Sequence, residues 1–309
     1  MTTDGRLFPA PDPAGTGSAR AARALGVGEL LWDLLPAGPR LGGAPLNVVA
    51  HLRRFGFDVA YVSAVGDDEL GRQARAETSR LGIDDSFVGT VDVPTGIVRV
   101  QLDAAGVPDF EIVSPAAYEY GRLDVDPAAL GPLDVLIYGT LSLRFPSMRD
   151  AAHRIAAANP AALRVYDVNL RPGCWSVELI AQLITDARIV KLNEAEAEIL
   201  GRELDIPGGT LREFAEGAAD RFGLEGVCIT RGGDGAGMLM GGTWAEVPAV
   251  PVKIADTVGA GDAFCAGLIA GLTSGRPLDQ VLAIASRLGG IVASRDGAIP
   301  DWNLTELPL

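Results

Sequence analysis

The sequence is poor in the residues that most often carry chemistry. Histidine occurs twice, at His51 and His153. Neither lies in an HExxH or GxSxG setting, so histidine-based hydrolase and zinc chemistry have little support. Lysine also occurs twice, at Lys191 and Lys253, and neither closes a GxxxxGK[ST] run. A P-loop is therefore excluded. The three cysteines, Cys174, Cys228 and Cys265, are far apart and match no metal spacing. That argues against a disulfide framework and fits a reducing cytoplasm. No apolar run reaches the roughly 18 residues of a membrane span, and no basic start leads into an apolar stretch, so neither insertion nor export is indicated. Basic residues are the minority, 26 against 40 acidic ones, for a net charge of −14. Such a surface repels nucleic acid and anionic lipid, which speaks against both as partners. A nucleotide would have to be held locally, by backbone N–H groups, a few arginines and Mg²⁺.

What is present is a large core in the making, since 48% of the 309 residues are hydrophobic. Residues 1–24 are rich in Ala, Gly, Pro and Arg without periodicity and read as a mobile extension outside the chemistry. From 25 to 309 no linker or repeat appears, and one domain is expected. Short apolar runs at 24–31, 61–65, 135–139, 165–170, 189–192 and 226–230 read as buried strands, with helices between them. This is the pattern of a doubly wound, mostly parallel α/β sheet. The segment 86–112 breaks it with period-two alternation and a turn at 103–106, as in a small antiparallel sheet. Together with the segment around 33–42 it is expected to form a β lid.

Asp256-Thr257-Val258-Gly259-Ala260-Gly261-Asp262-Ala263-Phe264 is the most informative stretch. An extended segment ends at Val258, and a helix that is small and apolar all round begins near Ala263. The Gly-Ala-Gly turn between them leaves backbone N–H groups unpaired at the positive end of a helix dipole, an arrangement suited to phosphate. Asp262 then either caps the helix or takes a proton from an attacking hydroxyl. The residues alone leave these two roles about level. Further polar groups fall at strand ends or helix starts, where ligands of parallel sheets gather. They are Asp33, Gly42 and Gly43, Asn47, Arg144, Asn169 and Arg171. Asn193 and Glu196 share one face of a first helical turn and could equally be a capping pair. Gly26-x-Gly28 invites a dinucleotide fold, but Leu31 replaces the third glycine.

DTVGAGDAF closely resembles the signature of the ribokinase-like (PfkB) carbohydrate kinases, and the resemblance covers nearly the whole chain. It implies an ATP-dependent sugar kinase in which Asp262 is the base, and the N–H groups of Gly259, Ala260 and Gly261 stabilise the γ-phosphoryl group. Gly28-Glu29 with Asp33, and Gly42 through Asn47, match the sugar-binding half of the family's site. Asp167-x-Asn169-x-Arg171, with Trp175, resembles fructokinases and ketodeoxygluconate kinases. Asn193 and Glu196 match the N-x-x-E that arranges water around Mg²⁺. Thr230, Gly232 and Gly235 match T-x-G-x-x-G under the nucleotide, and Ser286 lies where the family contacts the adenine side. Asp256 matches a position whose backbone can help hold a monovalent cation such as K⁺. The segment 86–112 resembles the family's small lid sheet, and an apolar outer face on such a sheet would need a partner, so a homodimer through the lid is expected. GGAPxN is closer to fructokinases than to ribokinases, and Arg144 departs from the acidic residue of ribokinases. Ketodeoxygluconate kinases carry a lid arginine that Phe110-Glu111-Ile112-Val113 lacks, and Glu111 would oppose an acid group. Fructose is therefore the favoured sugar, with 2-keto-3-deoxygluconate the alternative. A sugar-binding protein without turnover is the rival from another class.

Overall fold

The computed structural model describes residues 20–35, 38–102, 108–120 and 125–308. Most of the expected extension thus lies outside the described residues. Its last part is tied down, for Arg20 pairs with Asp134 at 2.9 Å and a strand begins at Arg23.

Thirteen strands form two sheets among the described residues. The nine-stranded sheet has the order β13-β12-β11-β10-β9-β8-β1-β4-β5. Its strands are β1 (Arg23–Val27), β4 (Asp58–Gly66), β5 (Val88–Val91), β8 (Val135–Gly139), β9 (Leu163–Asp167), β10 (Ile189–Asn193), β11 (Gly226–Thr230), β12 (Ala236–Met240) and β13 (Thr243–Val247). Pairing is parallel from β11 to β5 and antiparallel from β11 to β13. The central strands are apolar on both faces because helices cover both. Helices Ala44–Arg54, Ala260–Thr273 and Leu278–Ala293 pack on one side. Helices Pro146–Ala158, Val177–Asp186, Glu194–Glu203 and Leu211–Phe222 pack on the other. The second sheet, β3-β2-β6-β7, joins β2 (Leu31–Leu35), β3 (Gly38–Gly42), β6 (Gly96–Leu102) and β7 (Pro108–Ile112).

Two expectations shift. The apolar run 24–31 is two elements: β1 ends at Val27, and Leu31 opens the first lid strand. The break falls at Gly28, where a Cβ would lie 2.6 Å from the Pro45 ring and 2.8 Å from the Tyr61 hydroxyl. Gly28 thus serves close packing, not a dinucleotide. Likewise β5, expected in the lid, extends the main sheet beside β4. The turn at 103–106 and the side chains of 100–110 lie outside the described residues, and the dimer expected through the lid turns on them. At its base the lid is covered by its own chain, since Trp32 is buried and its indole N–H donates to the Leu70 carbonyl at 3.0 Å.

Candidate active site

A cleft of about 1010 Å³ opens at the carboxyl ends of β1, β8, β9, β10 and β11, roofed by Leu31, Asp33, Leu35, Val98 and Ile112 of the lid. At its centre stands the turn at 259–261. Gly259 is left-handed, with φ of 76°, and caps the helix Ala260–Thr273 by backbone alone. A Cβ there would lie 2.5 Å from Ala298. The Ala260 N–H reaches back to the Thr257 carbonyl at 3.3 Å, whereas no carbonyl among the described residues receives the N–H groups of Gly259 or Gly261. Two of the three N–H groups expected to be free are therefore free.

Asp262 is not a cap. It sits in the first turn and makes no hydrogen bond to the helix backbone; its Oδ2 accepts from Asn47 Nδ2 at 2.8 Å. The helix Ala44–Arg54 supplies Asn47 and, one turn later, His51. His51 Nε2 lies 2.9 Å from the Ala298 carbonyl and the Trp302 indole N–H donates to its Nδ1 at 3.0 Å. His51 therefore donates from Nε2 and buttresses the segment that backs Gly259. Burial, then the Asp167 charge, push the Asp262 pKa up to about 7, against the Asn47 hydrogen bond and the Lys191 and Arg171 charges. A carboxylate titrating there is suited to accept a proton near neutral pH.

At the lid end Asp33 lines the cleft, and burial pushes its pKa up to about 6 despite the Arg171 charge. Gly43 lines it too; a Cβ there would lie 2.2 Å from the Glu29 carbonyl. Gly42 lies behind Asp33, whose Oδ2 would be 2.7 Å from a Cβ on it, and does not form the wall. Of the buried polar atoms here Asn47 Oδ1 has no protein partner, while the Ser142 hydroxyl meets the Glu29 carboxylate. Such an unpartnered atom is costly unless a ligand or water meets it. Asn169, with φ of 40°, and Arg171 follow β9 and line the same end. Arg144 does not line the cleft. It lies 3.8 Å from the buried Glu119 and stacks on Phe145 at 4.5 Å, which removes it from the expected sugar contacts. Glu111 also faces elsewhere. Val98 and Ile112 pair across the lid and line the cleft, so their neighbours Arg99 and Glu111, 3.4 Å apart, point away.

At the end of the cleft expected to seat the nucleotide, Thr230, Gly232, Gly235 and Ser286 all line the wall, with Val250, Val252 and Gly290. Asn193 and Glu196 form a reciprocal capping box, the Asn193 Oδ1 accepting from the Glu196 N–H at 2.9 Å and Glu196 Oε2 from the Asn193 N–H at 2.8 Å. Glu196 Oε1 accepts in addition from the Leu170 N–H at 2.7 Å and so fixes the loop that carries Asn169 and Arg171. Among the described residues no three acidic, histidine or cysteine side chains are grouped as a metal cage. Asn193 and Glu196 line the cleft, where they would face the hydration shell of a Mg²⁺ carried by phosphates. The Asp256 carboxylate accepts from the Val258 and Gly297 N–H groups at 3.0 and 3.1 Å and lies 3.5 Å from the lid's Arg40.

Sequence reasoning gave Lys191 no role and Asp167 none beyond its place in the D-x-N-x-R motif, yet the two lie on the cleft floor 2.8 Å apart. The signal was present: a lysine inside the apolar strand Ile189–Asn193 has no solvent to reach and needs a partner. Arg40 carried no comparable signal.

A doubly wound sheet and a lid close over a carboxylate that faces an open helix N-terminus, and this defines a carbohydrate kinase of ribokinase-like architecture. The chain belongs to the pfkB family of carbohydrate kinases, whose model matches residues 38–304. It is 31% identical to a fructokinase of Klebsiella pneumoniae over 88% of this chain and 94% of that one. It is 29% identical to fructokinase-1 of Oryza sativa subsp. japonica, over 92% and 95% of the two chains. Among solved structures it is similar to a sugar kinase of Pyrococcus horikoshii in complex with ATP, with a TM-score of 0.77, 26% identity and coverage of 92% and 96%. No helix among the described residues is long and apolar enough to cross a membrane.

Proposed function

We propose that this chain transfers the γ-phosphoryl group of Mg-ATP to a hydroxyl of a monosaccharide, with fructose the favoured acceptor. The observation that carries the reading is the carboxylate of Asp262, held by Asn47 and left unused by the helix whose N-terminus it adjoins. In the reaction the sugar oxygen bonds to the γ-phosphorus while the bond to the β,γ-bridging oxygen breaks and ADP leaves. Asp262 takes the proton of the attacking hydroxyl. The N–H groups of Gly259 and Gly261 donate to the equatorial oxygens, with Ala260 shaping the turn between them. Asn47 Oδ1, Asp33 and the polar atoms around Glu29 orient the sugar hydroxyls, while Val98 and Ile112 exclude water from above. Thr230, Gly232, Gly235 and Ser286 would line the nucleotide's seat. Mg²⁺, its hydration shell facing Asn193 and Glu196, would offset the charge of the phosphates.

Fructose is supported by the two fructokinase relatives and by the Asp33 carboxylate on the lid's inner face, which would repel an acid group. One observation favours a sugar acid instead: the Arg171 guanidinium, exposed in the cleft, has no hydrogen-bonded partner among the described residues. ADP release with Mg-ATP across fructose, other neutral sugars, 2-keto-3-deoxygluconate and nucleosides tests both. Fructose is expected to give the highest kcat/KM. A preference for the acid would transfer the sugar end to Arg171 and leave phosphoryl transfer intact. No ADP release with any acceptor would end the kinase reading.

A further inference from the structure

The two ends of the cleft offer a ligand opposite chemistry. The lid end presents the carboxylate of Asp33, the amide of Asn47 and the guanidinium of Arg171. At the other end, past the turn at 259–261, the wall comes from the segments 232–235, 249–254 and 286–293. The residues of these segments that line it are glycine, alanine, valine and isoleucine, and Ser286 is the one polar side chain among them. Arg231, Asp234, Lys253 and Arg287 belong to or adjoin the same segments, yet none of them lines the cleft. Thr230 ends β11 in register with Asn193 and so stands with the groups that would face Mg²⁺.

This end is also open. A Cβ on Gly232 or Gly233 would meet nothing within 4 Å, and Ile254 is 65% exposed. Val250 and Ser286 line both the cleft and a second hollow of about 440 Å³, which Val247, Ala283, Arg287 and Leu307 also line. A group projecting from the edge of a base therefore has room beside Ser286. Telling bases apart takes fixed donors or acceptors that the wrong base leaves unpaired. Sites built that way reject by about 10⁴–10⁵, whereas apolar walls separate similar ligands by only about 10². Ser286 fixes no such pattern, because a hydroxyl both donates and accepts. It can meet the amino group of adenine or the carbonyl oxygen of guanine. Its bond to the Pro248 carbonyl is long, at 3.4 Å, and gives way readily.

We propose that the donor site takes purine nucleoside triphosphates as a class, so that GTP and ITP serve as phosphoryl donors beside ATP. The base is held by apolar contact, and the phosphates at the turn decide what counts as a donor. This rests on the phosphoryl-transfer reading above.

The test measures sugar phosphorylation with ATP, GTP and ITP in turn, with excess Mg²⁺ and a saturating concentration of whichever acceptor reacts fastest. The three values of kcat/KM are expected to lie within about 100-fold of one another, the limit of an apolar wall. Ser286→Ala, measured the same way, should change all three by the same factor to within about threefold. A preference above about 100-fold for one purine in the wild type overturns the proposal, as does a loss in Ser286→Ala confined to one of them. In both cases turnover with the remaining donor keeps the kinase reading. Wild type that transfers phosphate from none of the three overturns both.

Discussion

The two halves of the cleft are built differently. Around the turn at 259–261 the charged and polar groups come from the main sheet and its helices, are buried, and meet at short distances. Asn47 reaches Asp262 at 2.8 Å and Lys191 reaches Asp167 at 2.8 Å. Under the lid the contacts are looser: Arg40 lies 3.5 Å from Asp256, and Arg99 lies 3.4 Å from Glu111 on the far side, both pairs part-exposed. The inner face there mixes apolar Leu31, Leu35, Val98 and Ile112 with Asp33 and Arg40, and Asn47 Oδ1 is left without a protein partner. Chemistry that is the same for every acceptor is placed on rigid elements. Under the proposed function, the part that accepts and releases a sugar lies under a small second sheet whose ion pairs are long and part-exposed.

Asp262→Asn should show the largest effect. Asn still accepts from Asn47 but cannot take up a proton, so kcat should fall by about 10²–10⁴. Stability should move the other way. Asp262 has a folded pKa raised to about 7 from 3.8, so its stabilising contribution is complete below pH 3.8 and lost as pH rises to about 7. The Asn variant should therefore melt at or above wild type at pH 8, with the gap closing toward pH 4. In wild type, kcat/KM should rise with pH through about 7 as the base ionises. A normal-melting variant with more than about a tenth of wild-type kcat, chemistry being rate-limiting, would remove Asp262 as the base.

Asp33→Ala acts at the looser end. Losing charge-assisted hydrogen bonds to a sugar hydroxyl costs about 1.5–3 kcal/mol, or roughly 10–100-fold in sugar KM, with ATP KM and the kcat pH profile little changed. A kcat loss as large as that of Asp262→Asn would show that the two ends are not separate. Arg40→Gln should matter least. A part-exposed pair at this distance is worth about 0–1 kcal/mol, so both KM values should stay within about threefold and respond less to salt than in wild type. A tenfold rise in either would mean that the clasp to Asp256 decides how the lid closes.

How well each part could be read follows how local its cause is. Strands Val135–Gly139 and Gly226–Thr230 were legible residue for residue, since a buried parallel strand is a bare apolar run. The split of the run at 24–31 was not, because what ends β1 is the approach of Pro45 and Tyr61 to Gly28, and both are distant in sequence. Asn193 and Glu196 were legible as a pair through their spacing of one helical turn. The second duty of Glu196, at the Leu170 N–H, depends on β9 lying beside β10. Arg144 looked like a ligand residue because it follows a strand end. Glu119, from a segment no periodicity connects to it, takes it away.

By itself the sequence determined the layered sheet, the apolar helix behind the turn, and the glycine turn with unpaired N–H groups at 259–261. Each of these follows from nearest-neighbour chemistry: side-chain period, glycine content, and the unpaired N–H groups of a helix start. Only the tertiary structure decided that Asp262 is a free carboxylate and no cap. That outcome depends on Asn47, 215 residues earlier, donating to it. It likewise decided that Lys191 is a charge in the cleft, because Asp167 on the next strand holds the ammonium there. Burial and neighbouring charge set the strength of an acid or base, and both are sums over the folded surroundings that no local pattern contains.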